Sequence, residues 1–160
     1  MRSFEYNRSN AVEYAKTWAL SRNPRYFDFH GIGGDCTNFA SQCIYAGAGV
    51  MNYTPETGWF YRSANDRTPS WTGVEFLYKF LTNNQSVGPQ GRVVSESEVL
   101  PGDIVQLGNE VGDFYHTPVI IATHPTILIA AHTIDSLDRP LYTYNYSIAR
   151  FIHIDKVLSY

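Results

Sequence analysis

The chain has 160 residues, of which 44% are apolar and 17% charged, and a formal net charge of −3. By size it is one domain, 1–160, long enough for a sizeable core and too apolar to remain disordered. The small negative charge and the lack of any basic cluster exclude an electrostatic case for nucleic acid as a partner.

No apolar run approaches the roughly 20 residues of a membrane span. The first residues, Met1-Arg2-Ser3-Phe4-Glu5, lack the apolar core of a signal peptide. Two expectations for location follow: a cytoplasmic protein, or one domain of a longer exported chain. Twelve tyrosines, nine phenylalanines and three tryptophans are a heavy aromatic load. Some belong to the core, while tyrosine-rich surfaces also suit peptide and sugar ligands.

In chain order, Asn10 with Glu13 predicts a capping box for a helix over about residues 11–21. Val12, Ala15, Ala19 and Leu20 give it an apolar side, and Asn23-Pro24 stops it. Tyr26 to His30 reads as a loop leading into Gly33-Gly34. Asp35 is then a good N-cap for a second helix over about 36–46, with Gly47 as its C′ residue.

That placement puts Cys36 at the first helical position, beside N–H groups without intrahelical partners. The positive end of the helix dipole there favours thiolate over thiol, so a pKa below the ordinary value near 8.5 is expected. Phe39, Ala40 and Cys43 continue an apolar stripe from it. The plainer alternative is a small apolar residue opening a buried helix. Gly-Gly-Asp before it favours a nucleophile. Cys36 and Cys43 lie about 10 Å apart along the helix axis, too far to form a disulfide.

From Gly49 to Thr72 the chemistry is that of a loop, yet it holds Tyr53, Trp59, Phe60, Tyr61 and Trp71. Trp71 is assigned to the core, and Trp59 and Tyr61 to a candidate substrate wall. Thr72 with Glu75 begins a third helix over about 73–82, with Val74, Leu77, Tyr78 and Leu81 as its buried face. Beyond Gly88-Pro89-Gln90-Gly91 the pattern turns to strands: Ile104–Leu107, Thr117–Thr123, Thr126–Ala131, Ala149–Ile154, and a weaker one near Leu141–Tyr144. Short connections predict antiparallel pairing, and helices followed by a sheet give an α+β class.

A thiolate needs a base, usually histidine, oriented by a third polar group. Five histidines are available. His124 falls in a turn before Pro125, and His153 has no chemical context in the last strand. His116, His124 and His132 recur every eight residues near Asp113, Asp135 and Asp138. None of this has the close spacing of a zinc site, so neither a metal nor another cofactor is expected.

Several stretches together carry a family resemblance. These are Tyr6-Asn7-Arg8 with Ala11-Val12-Glu13-Tyr14-Ala15, Asn23-Pro24-Arg25-Tyr26, and Gly34-Asp35-Cys36-Thr37-Asn38-Phe39-Ala40-Ser41-Gln42-Cys43. Further on come Ser70-Trp71-Thr72, Pro101-Gly102-Asp103-Ile104-Val105, His116 and Ala131-His132-Thr133. The chain resembles the putative amidase domain family of clostridia and other Gram-positive bacteria, a branch of the papain-like cysteine hydrolases related to NlpC-type and CHAP-type cell-wall peptidases. The resemblance implies a papain-like layout, with N-terminal helices packed on a C-terminal antiparallel β-sheet. It implies Cys36 as nucleophile, His116 as base and His132 as the residue that orients it; Asp135, near His132 in the sequence, is the alternative orienting group. It also implies a site contact from Tyr26, and places His30 where papain-type enzymes carry an oxyanion donor. The implied substrate is bacterial cell-wall peptide or a related amide. The competing expectation is a binding or attachment module on the same scaffold, with its chemistry weak or lost.

One geometric expectation decides the third residue. A hairpin with Thr123-His124-Pro125 as its loop pairs Ala122 with Thr126 and sets His116 opposite His132 on one face. A two-residue loop puts the two rings on opposite faces unless a bulge restores the register.

Overall fold

The computed structural model describes residues 1–160. The chain starts with a short strand β1 (Arg2–Phe4), followed by helices α1 (Arg8–Trp18) and α2 (Cys36–Ala48). A small hairpin, β2 (Tyr61–Ser63) and β3 (Asp66–Arg67), leads to a single turn α3 (Pro69–Thr72) and to α4 (Val74–Asn83). The remainder is β4 (Gly88–Val94), β5 (Ile104–Gly108), β6 (Phe114–His116), β7 (Val119–Ala122), β8 (Leu128–Ala131), β9 (Ser136–Pro140) and β10 (Ile148–Ser159).

All but β2 and β3 join one 8-stranded antiparallel sheet with the path β1-β10-β5-β7-β8-β9; β4 adds to β10 and β6 to β5. The 12-residue β10 is its spine. Phe151 and Ile152 pair with β5 on one edge and with β4 on the other. The same strand pairs with the start of the chain, Arg2 lying opposite Ser159.

Helices α1, α2 and α4 cover one face of this sheet, and alternation along the strands separates two cores. Ile104, Val119, Ile121 and Ala130 point to the helices, in a cluster of 24 buried residues with Phe39, Ile44 and Leu77. Val105, Leu107, Ile120, Ile129 and Ala131 point the other way, in a cluster of 8 completed by Val99, Ile127 and Leu141.

The α+β class expected from the sequence is present, with shifted boundaries. Helix α1 begins at Arg8 because Asn7, and not Asn10, is the cap; its side chain accepts from the Asn10 N–H at 3.0 Å. Helix α2 runs past Gly47 and ends at Gly49, which adopts φ 74°. Gly47 is needed for another reason: a Cβ there would lie 2.5 Å from the Tyr6 ring. Leu141–Thr143 is a 3-10 turn and not a strand.

Two buried carboxylates fasten the helices to the sheet. Asp103 accepts from Arg8 at 2.7 Å, His153 at 2.8 Å and the Ile154 N–H at 2.9 Å. His153 therefore does have a partner that local sequence did not reveal. The second carboxylate, Asp35, belongs to the site.

Candidate active site

Cys36 opens α2 as expected, and both thiols are free and buried. The Asp35 side chain does not cap the helix. Its Oδ1 accepts from the Phe29 N–H and from Asn38 Nδ2, both at 2.9 Å, and its Oδ2 accepts from His132 Nδ1 at 2.5 Å. The first helical hydrogen bond is Phe39 N–H to Asp35 C=O at 3.0 Å. The N–H groups of Cys36 and Thr37 thus lie at a helix start whose natural capping group is engaged elsewhere.

Hydroxyl and main-chain groups surround the sulfur. Thr37 Oγ1 lies 3.7 Å from Sγ and the Tyr115 carbonyl 4.0 Å. Thr37 Oγ1 meets Thr117 Oγ1 at 3.0 Å, and Gln106 Nε2 donates to Thr117 Oγ1 at 3.4 Å. Burial pushes the Cys36 thiol above its ordinary value, and hydrogen bonds from Thr37, the Thr117 N–H and Thr133 offset only part of this. The expectation of a lowered thiol pKa is overturned because desolvation outweighs the donors at the helix start.

The two histidines expected beside Cys36 lie apart from each other, and no imidazole is within hydrogen-bonding distance of the sulfur. His116 pairs with Leu107, whose side chain belongs to the core beyond the sheet. Cross-strand partners share a face, so the His116 ring points away from α2, and its neighbour Thr117 takes the place facing Cys36. There the ring lies 5.4 Å from the Tyr144 ring. Burial, helped by the charge of Arg139, lowers its pKa to about 4, which keeps it neutral.

His132 is on the helix side, stacked on Phe39 with ring centroids 4.0 Å apart. Its Nε2 donates to the Trp18 carbonyl at 2.8 Å while Nδ1 serves Asp35. Both nitrogens face acceptors, so the ring ties the end of α1 to the start of α2 and does not orient His116. The hairpin register explains the separation. Val119 pairs with Ala130 and Ile120 with Ile129, followed by a bulge before the Ala122–Leu128 pair. That is one residue away from the pairing that would have set the two rings opposite each other. Asp135 does not take over the orienting role, because both its oxygens accept from Arg22, at 2.8 and 3.0 Å.

The expected substrate wall is interior. Trp59 is fully buried, with its ring 4.8 Å from that of Trp71 and its Nε1 donating to Ser41 at 3.1 Å. Tyr61 is buried, and its hydroxyl accepts from the Phe27 N–H at 2.7 Å. Tyr26 is half-buried and stacks on Trp71 with 6.0 Å between centroids. A long loop so rich in aromatics folds onto α2 because exposing Trp59, Phe60, Tyr61 and Trp71 to water costs more than ordering the loop. His30 and His124 are exposed.

No local pattern marks Thr37, Thr117 and Thr133 as neighbours of the sulfur, or Asp35 as the partner of His132. The adjacent pairs Asp35-Cys36 and His132-Thr133 are the signal that was there to read. No group of three or more His, Cys, Asp or Glu side chains is placed to hold a metal ion, and no helix is long and apolar enough to cross a membrane.

A family model described as a putative amidase domain matches residues 5–154. The chain is also 35% identical over 140 residues to the uncharacterized protein YhbB of Bacillus subtilis (strain 168), a match covering 84% of this chain and 44% of that protein. The chain therefore spans less than half the length of this curated relative. No solved structure matches it.

Proposed function

The chain belongs to the putative amidase domain family, and on that premise we propose that it hydrolyses amide bonds with the Cys36 thiolate as nucleophile. The observation that carries this reading is the position of Cys36 at N1 of α2, whose capping carboxylate is drawn off to His132. When Sγ attacks a carbonyl carbon there, the carbonyl oxygen becomes an oxyanion beside the Cys36 and Thr37 N–H groups, the donors such an intermediate requires. The acyl group passes to sulfur as a thioester, the amine leaves with the proton taken from the thiol, and water hydrolyses the thioester.

His116 is the proposed base. Its ring is neutral at physiological pH, whereas His132 has both nitrogens committed to acceptors. To reach Sγ, His116 has to exchange places with Thr117, a slip of one residue in β6. That strand has only three residues, pairs irregularly with β5, and is followed by Thr117 and then Pro118, which has no N–H to hold the ladder. A papain-like arrangement and a cell-wall peptide as substrate are the finer parts of this proposal. They are supported by the family resemblance and by the helix-on-sheet position of the nucleophile.

A second reading, a binding or attachment module with weak chemistry, is favoured by the buried thiol and the distance of both histidines. Turnover of peptidoglycan fragments and simple acyl amides tests the two. The enzyme reading expects hydrolysis that Cys36→Ser and His116→Ala each remove almost entirely. Binding without turnover, and unchanged by Cys36→Ser, establishes the module.

A further inference from the structure

A second recess lies behind the aromatic layer that backs α2. Trp71 donates from Nε1 to Asn38 on α2 at 3.0 Å, Trp59 stands behind it, and Phe80 stacks on Trp59 with 6.0 Å between centroids. The other side of Phe80 forms the floor of a cavity of about 900 Å³, and Cys36 is not among the residues that line it. One wall is the segment from Asn52 to Thr57. The facing wall is the solvent side of α4, where Phe76, Lys79 and Asn83 follow each other at helical spacing.

The recess is already formed. Asn52 and Trp59 exchange main-chain hydrogen bonds at 2.9 and 2.8 Å, and Ser70 Oγ donates to the Gly58 carbonyl at 2.6 Å. Gly58 is required by this fold of the wall, since a Cβ would stand 2.3 Å from the Asn52 carbonyl oxygen. At the far end Asn84 accepts from the Ser86 N–H at 2.9 Å and donates to the Pro89 carbonyl at 3.1 Å. Walls fixed in this way lose little conformational freedom when a ligand enters.

We propose that this recess binds a neutral oligosaccharide. Its only charged residues are Glu56 and Lys79, of opposite sign, which leaves no surplus charge for a phosphate or a carboxylate. No strand of the sheet borders it, so an extended peptide finds no ladder to join. What remains is a set of amide and hydroxyl groups, which both donate and accept, beside an aromatic ring that is 55% exposed at Phe76. A sugar ring has this combination, with hydroxyls around its rim and C–H groups on its face to lie against an aromatic. The volume is that of a small-molecule site, for which roughly 300–1,000 Å³ is usual. The proposal is independent of the amidase reading, because it uses no residue that touches Cys36.

The test is titration of the isotope-labelled full chain with tri-N-acetylchitotriose and with cellotriose, followed by amide NMR. Saturable shifts confined to residues 52–57 and 76–86 with at least one of the two support the site. Phe76→Ala, at an exposed position that leaves folding intact, should then weaken binding roughly tenfold. Absence of saturable shifts with both sugars overturns the proposal, as do shifts centred on Cys36 or affinity unchanged by Phe76→Ala. Loss of amide hydrolysis in Cys36→Ser with sugar binding intact keeps this site separate from the amidase reading.

Discussion

Asp35 Oδ2 and His132 Nδ1 are 2.5 Å apart, with side chains 0% and 1% exposed, and their pairing joins the start of the Cys36 helix to the end of β8. The same contact that removes the helix cap holds the Gly34-Asp35-Cys36 backbone in place. His132 then anchors the other side through the Trp18 carbonyl.

Breaking that pair from one side should be expensive. Asp35→Ala leaves the imidazole and Asn38 without their acceptor in a dry interior, and removing one partner of a buried pair costs about 3–5 kcal/mol. Urea unfolding of Asp35→Ala and His132→Ala measures it. A loss under about 1 kcal/mol in both would mean that the pair is not what holds α2.

The thiols should react late and in order. Burial raises both pKa values, and Cys43 is enclosed more completely than Cys36. Iodoacetamide should label Cys36 first, with a rate that climbs above the ordinary thiol range near pH 8.5. Thr133→Val removes a hydrogen bond that favours the thiolate, so labelling at a fixed pH should slow further. Faster labelling in Thr133→Val would contradict the arrangement around the sulfur.

His116 should make the protein acid-sensitive. Its folded pKa of about 4 lies below the value near 6.5 of an unfolded chain, so between these pH values the unfolded state holds the extra proton. Stability from this residue is complete above pH 6.5 and falls as pH drops toward 4, by an amount on the order of 3 kcal/mol. His116→Asn should flatten that part of the stability–pH curve. Parallel curves for the variant and the wild type would show that the ring is not desolvated.

Trp59 and Trp71 should behave alike. Both are fully buried in one aromatic stack, so either change to alanine should cost roughly 3–5 kcal/mol through the cavity it leaves. Thermal unfolding distinguishes this from a substrate-facing Trp59, which would lower turnover while leaving the melting temperature in place.

Local chemistry made the α2 start, the α4 face and β5 readable in the sequence. Turn residues placed Cys36, and apolar spacing marked Leu77 and Leu81 for burial. What could not be read depends on strand partners. Strands are expected only beyond Gly88-Pro89-Gln90-Gly91, yet this stretch is itself the start of a strand that needs β10 opposite it. The side of the sheet that His116 occupies is set by irregular pairing between β5 and β6, and one residue of slip reverses it. Asp35 looked like a cap because its competitor, His132, stands 97 positions away in sequence. The aromatic loop misled for the opposite reason: its composition is that of a surface loop, while its surface area demands burial.

The pairing of Arg2 with Ser159 has a practical consequence for the order of the chain. A few glycine and serine residues linking position 160 to position 1 would bridge neighbouring strand ends and disturb no packed side chain. New ends opened in the exposed Asn109–Gly112 turn would give a circular permutant in which β6 to β10 come first, the Cys36 helix follows them and β5 comes last. If β10 is the spine of the sheet, this rearranged chain should recover the native melting transition even though the Cys36 helix is now synthesised after β10.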